Sequence, residues 1–163
     1  MRKLVIHVGM PKTATTTLQW DLFAKHSQIN YLAQVEKGGI SDSDQLVPKI
    51  IRALVTGNHW GDGKHWVEQF NRVLAGFAQT NKVTLLSEEG LSTSARSDNQ
   101  GKVDRLRQLA EEAVILLVFR EPISWIRSRY QQWLKGYGEK HYDYQDFGQW
   151  LVSDEGRENL ADL

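Results

Sequence analysis

Three short apolar runs, each followed by polar residues and then by helical spacing, set the tightest bound on what this chain can fold into. Leu4, Val5, Ile6 and Val8 form the first, Val83 to Leu86 the second, and Ala113 to Phe119 the third. Short apolar runs bounded by turn signals are the pattern of strands buried on both faces. Between them the apolar residues recur at the helical period. Leu18, Leu22 and Phe23 mark one helix, Leu46, Ile50, Ile51, Leu54 and Val55 a second, and Trp66, Phe70, Val73, Leu74 and Phe77 a third. Val103, Leu106, Leu109 and Ala110 mark a fourth, Ile123, Ile126, Tyr130, Trp133 and Leu134 a fifth, and a short one surrounds Phe147, Trp150 and Leu151 before a polar tail. Strands alternating with helices predict an α/β fold of three layers, a central parallel sheet with right-handed crossovers and helices on both faces. Ala113–Phe119, the most continuous run, is expected at the centre of that sheet. Residues 30–35 fit neither period, and residues 38–43 and 58–64 read as loops.

The chain's 163 residues suit one domain spanning 1–163, large enough to bury a core without staples. Twenty basic and twenty acidic residues cancel, so no overall field draws the chain to nucleic acid or to an anionic membrane, and any anion site must be local. Without cysteine there is no disulfide, thiolate nucleophile or thiolate metal site. The first apolar run is broken by His7 and soon reaches Pro11 and Lys12, too short for a signal-peptide core, and no segment approaches a membrane span. A soluble, cytoplasmic protein is the expectation, with its oligomeric state open.

The loop after the first run carries the most chemistry. Gly9 to Ala14 has little side-chain bulk, so backbone is left to face a ligand, and Thr15, Thr16 and Thr17 stand where a helix begins. The first N–H groups of a helix lack internal partners and carry partial positive charge, which suits an anion, and Lys12 adds a full charge. The pattern differs from GxxxxGK[ST], because the lysine precedes the small residue and the threonines. A threonine cap, with Thr16 and Gln19 in capping-box spacing, is the alternative reading.

Pro11, Lys12, Thr13, Ala14, Thr15 and Thr16 resemble the PKxGTT loop with which sulfotransferases hold the 5′-phosphosulfate of 3′-phosphoadenosine 5′-phosphosulfate (PAPS). A second stretch, REPISWIRSRYQ from Arg120 to Gln131, is similar to the element by which that family holds the 3′-phosphate. Arg120 and Ser128 have the family's separation of eight residues, with Pro122 after the arginine and Tyr130 in the serine-x-aromatic position. An arginine closing a buried strand is costly without an anionic partner, and its planar fork suits phosphate. Pairing with Glu121 or a loop aspartate is the plainer alternative.

The resemblance implies a P-loop NTPase-like sulfotransferase fold with PAPS as donor and no metal. The acceptor would be a hydroxyl or amine of a glycan, lipid or small metabolite. Lys12 would stabilise the leaving phosphate oxygen. In glycan-modifying and bacterial members a glutamate just after the second strand serves as base, and Ser87-Glu88-Glu89 is similar to that position, with Glu89 favoured and Glu88 in reserve. One of the pair is expected in the cleft and the other in solvent. Ala14 stands where the family has glycine, and at φ > 0 an alanine costs about 1–2 kcal/mol. Thr17 replaces an aromatic residue that some members place against adenine, so adenine is expected elsewhere. The resemblance covers Leu4 to about Leu151, whereas family members continue through further helices and a carboxyl-terminal cofactor segment. A non-catalytic nucleotide-binding protein or truncated remnant on the same fold is therefore the second reading, and a P-loop kinase the third.

The remaining candidates carry less chemistry. His59 and His65 lack acidic companions for a metal site and read as part of a substrate-facing loop or of the surface. His7, inside a strand, reads as a hydrogen-bonded core residue. Of the arginines flanking Ser128, Arg127 and Arg129, one is expected to reach phosphate and the other to face water.

Overall fold

The computed structural model describes residues 4–33, 46–92, 98–110, 112–137 and 145–160. Residues 38–43, expected to form a loop, lie outside this set, as do residues 93–97 of the polar stretch after the second apolar run.

Among the described residues, four parallel strands form one sheet in the order β2-β3-β1-β4, with helices against it. The strands are β1 (Leu4–Gly9), β2 (Ile29–Ala33), β3 (Val83–Ser87) and β4 (Ala113–Val118). The register runs Ile6 beside Leu86 and Ile115, and His7 beside Ser87 and Leu116. Strand β2, in the stretch that fitted neither period, pairs with β3 through Leu32 beside Leu86. Its polar Asn30 is buried, its side-chain amide donating to the Thr80 hydroxyl at 2.8 Å, which is why a hydrophobicity pattern alone passed over it.

The two sheet faces differ. On one, Leu4, Ile6, Leu32 and Leu86 meet Ile50, Ile51 and Leu54 of α2 (Leu46–Thr56), Phe70 of α3 (Lys64–Gly76) and Leu109 of α4 (Asn99–Leu109) in the main core. The other carries His7, Tyr31 and Ser87, with Phe23 packed edge-on against His7 at 5.3 Å between ring centres. Phe23 closes the helical segment after β1, which starts as α1 (Thr15–Thr17) and widens to i→i+5 bonding over Leu18–Phe23. A satellite core of Tyr130, Trp133 and Trp150 joins α5 (Pro122–Tyr137) to α6 (Phe147–Val152). The expected polar tail instead forms α7 (Asp154–Leu160).

The placement of β4 corrects the sequence expectation. It pairs with β1 alone at the end of the described sheet, and Val114, Ile115, Leu116 and Leu117 are 55, 50, 43 and 53% exposed. A continuous apolar run shows that neither face is polar by design; it does not place the strand at the centre. The central strands are β1 and β3, whose His7 and Thr84 interrupt the apolar pattern because each is buried with polar character.

Candidate functional site

Strand β1 ends at Gly9, and the chain turns through Met10 to Ala14 before α1. A Cβ on Gly9 would collide with the Thr15 methyl group, so the turn closes tightly only around glycine. Two residues of the turn have left-handed backbone, Lys12 at φ 69° and Ala14 at φ 60°. Thr13 folds back on the turn, its hydroxyl donating to the Met10 carbonyl at 2.6 Å. The helical ladder opens with Leu18 N–H donating to Ala14 C=O at 3.0 Å, so the amides of residues 15–17 have no partner within the helix. Ala14 occupies the cap position without a side-chain bond, and Gln19 reaches away to donate to the Ser87 hydroxyl at 2.9 Å. The capping box offered by Thr16 and Gln19 is therefore not formed.

Helix α5 and the residues that lead into it brace this turn from the far side of the sequence. The buried indole of Trp125 donates to the Pro11 carbonyl at 2.7 Å, and the guanidinium of Arg120 donates to the Lys12 carbonyl at 3.0 Å. Pro122 opens α5, and Glu121 caps it, accepting from Ile123 N–H at 2.9 Å and Ser124 N–H at 2.7 Å. These bonds to the exposed Glu121 carboxylate hold its pKa below the usual range. Glu121 is thus engaged with its own helix. The burial argument for Arg120 is corrected, because Arg120 is exposed at the end of an open strand.

Between turn and helix lies a cavity of about 800 Å³, within the range of small-molecule sites. Pro11, Lys12, Thr13, Ala14, Thr15 and Thr16 line it. So do Arg120 and Ser128, together with Val118, Phe119, Arg129 and Gln132. Glu89 enters from the turn after β3. Glu88 is not on the cavity wall. Its carboxylate turns back to accept the Gly90 N–H at 2.9 Å, capping the Glu89–Leu91 turn, where solvent had been expected for one member of the pair. Burial raises the pKa of both glutamates. For Glu89 the charge of Lys12 opposes the rise, and for Glu88 the Gly90 N–H and the Lys102 ammonium oppose it.

His7 is the hydrogen-bonded core residue expected, its Nδ1 2.7 Å from the Ser87 hydroxyl; the sequence did not show that the same hydroxyl engages Gln19 and Tyr31. Burial lowers the His7 pKa and raises that of Tyr31. His7 Nε2 is buried with no hydrogen-bond partner, which favours the neutral ring with its proton on Nδ1. The part played by Trp125 was not legible either, because nothing local shows its N–H reaching a loop 114 residues earlier.

Arg129 lies with its guanidinium carbon 5.6 Å from the Trp125 ring centre and lines the cavity, whereas Arg127 is exposed. Among the described residues no cluster of His, Asp and Glu has the grouping of a metal site, and no helix is long and apolar enough to cross a membrane. The site therefore offers one ammonium, two guanidinium groups, threonine and serine hydroxyls, and a carboxylate facing a common space. Comparison of the chain with protein-family models, curated proteins and solved structures found no match.

Proposed function

We propose that this cavity binds PAPS and that the protein transfers its sulfuryl group to a hydroxyl or amine acceptor. The observation that carries the reading is that Lys12 and Arg120, far apart in sequence, line one cavity, with threonines beside the first and Ser128 beside the second. Two cationic poles facing a single space suit a ligand with anionic groups at both ends.

The chemistry follows from the donor. The acceptor oxygen or nitrogen attacks sulfur as the bond from sulfur to the bridging phosphate oxygen breaks. The electron pair of that bond leaves with 3′-phosphoadenosine 5′-phosphate. Lys12 stabilises the charge growing on the leaving oxygen, assisted by backbone N–H groups at the start of α1. Glu89 accepts the acceptor's proton, and its raised pKa brings it nearer to neutral working conditions than an ordinary glutamate. Arg120 and Ser128 hold the 3′-phosphate and so fix the sulfur relative to Lys12 and Glu89. These steps move one proton and one sulfuryl group and call on no metal.

Calorimetric titration with 3′-phosphoadenosine 5′-phosphate against AMP tests the site, and release of the bisphosphate from PAPS in the presence of monosaccharides and simple alcohols tests the reaction. Preference for the bisphosphate together with acceptor-dependent release supports a sulfotransferase. Preference without release supports a nucleotide-binding protein on the same fold. Equal affinity for the two nucleotides overturns the proposal.

A further inference from the structure

We propose that Lys102, outside the cavity, is a positioning residue whose buried ammonium locks the turn that aims Glu89 into it. The inference rests on the reading of Glu89 as the base. Lys102 belongs to α4, where Asp98 caps the helix by accepting the Gly101 N–H at 2.8 Å, and it is only 2% exposed. Lysine is among the residues least often fully buried, and a buried ammonium is tolerated when charge and hydrogen bonds meet it. Both do so here. Its Nζ donates to the Gly90 carbonyl at 2.7 Å, and the Glu88 carboxylate lies within its electrostatic reach.

The peptide groups on either side of the Gly90 Cα are thereby held by opposite charges. Glu88 accepts from the Gly90 N–H, and Lys102 donates to the Gly90 C=O. The Glu89 carbonyl, in the first of those peptides, also accepts from Ser92 N–H at 2.9 Å. The Ser92 hydroxyl lies 2.8 Å from both that carbonyl and the Gly9 carbonyl, joining this turn to the end of β1. A Cβ on Gly90 would come within 2.9 Å of Val55, so α2 closes the remaining side. Glu89 thus projects from a backbone with little freedom to turn. A leucine or methionine would fill the same volume without a desolvated charge, and replacing buried ions by apolar residues is often neutral or stabilising. What the ammonium adds is direction for the Gly90 carbonyl and hence for Glu89.

The test uses Lys102→Met and Lys102→Arg in the full chain, read by amide exchange at Gly90, by calorimetry with 3′-phosphoadenosine 5′-phosphate, and by turnover of PAPS with a monosaccharide panel. In Lys102→Met, Gly90 exchange rises about tenfold or more, kcat falls about tenfold or more, and KM for PAPS and affinity for the bisphosphate stay within about twofold. Lys102→Arg, which keeps a cationic donor, recovers most of both losses. Unchanged Gly90 exchange, or loss of nucleotide binding in step with turnover in a folded Lys102→Met, overturns the proposal. If Lys102→Met does not fold, Lys102→Gln, a neutral donor, is held to the same criteria. Failure of the parent protein to prefer the bisphosphate over AMP sinks the sulfotransferase reading alone, because Gly90 exchange still reports whether Lys102 holds the turn.

Discussion

The guanidinium of Arg120 donates to the backbone carbonyl of Lys12 across 3.0 Å, although 108 residues separate the two in sequence. With the Met10 N–H donating to the Val118 carbonyl at 3.2 Å, this bond connects the end of β4 to the turn after β1, and it leaves the other guanidinium N–H groups free in geometry to meet an anion. Replacing Arg120 by alanine removes both the brace and the cation. The expected result is a loss of about tenfold or more in affinity for 3′-phosphoadenosine 5′-phosphate with little change for AMP, measured by calorimetry.

Ala14 has a left-handed backbone at φ 60°. An L-residue there costs about 1–2 kcal/mol, partly offset in a glycine variant by the greater freedom of the unfolded chain. Ala14→Gly should stabilise the protein by about 0.5–1 kcal/mol, a rise of about 1–4 °C in melting temperature by calorimetric scanning. Tighter bisphosphate binding is expected alongside, because the turn settles without strain.

Trp125 is wholly buried and donates to the Pro11 carbonyl. Trp125→Phe keeps most of the aromatic volume but deprives that carbonyl of its partner. A destabilisation of about 1–3 kcal/mol is expected in urea titration. Bisphosphate affinity should fall with it, since the loop loses its inner tether.

His7 is buried and its pKa is lowered from the usual 6.5 by loss of solvation. Below 6.5 the unfolded chain takes up a proton that the folded ring resists, so this residue's contribution is fully present above 6.5 and is lost as pH falls towards the folded value. The raised glutamates act in the opposite sense, each favouring the folded state less as pH rises from 4.5 through its folded value. The difference between parent and His7→Gln isolates the histidine. Urea unfolding from about pH 5 to about pH 8 should show the parent losing more stability on the acid side than the variant. A difference that does not vary with pH would assign His7 another role.

Turnover should follow the Glu89 carboxyl. Because burial raises its pKa, the acid limb of kcat/KM is expected above the ordinary carboxylate range, with activity lost as pH falls through it. Glu89→Gln should reduce kcat by about 100-fold or more at every pH while nucleotide affinity is kept, as measured by PAPS turnover beside calorimetry.

Of the candidate site, local spacing showed Lys12 and the threonines after one apolar run, and Pro122 opening α5 as its fixed φ allows, whereas Arg120 and Ser128 were singled out by the family resemblance. What could not be read depends on contacts between distant segments. Glu88 turns back to the Gly90 N–H while Glu89 lines the cavity, a difference not visible in the pair itself. Strand β2 was hidden because its buried Asn30 is matched by Thr80. The misplacing of β4 has a different source, since apolar composition specifies what a strand tolerates and says nothing about how many neighbours it finds.

That strand has a consequence for how securely the two cationic poles are anchored. Among the described residues, Lys12 follows an interior strand paired on both edges, whereas Arg120 follows one paired on a single edge and about half exposed over Val114 to Leu117. Local opening should therefore begin at the arginine end, with amides of residues 114–118 exchanging before those of residues 5–8. A ligand spanning both poles would slow the faster group most, making the nucleotide a clasp for the weaker margin of the sheet.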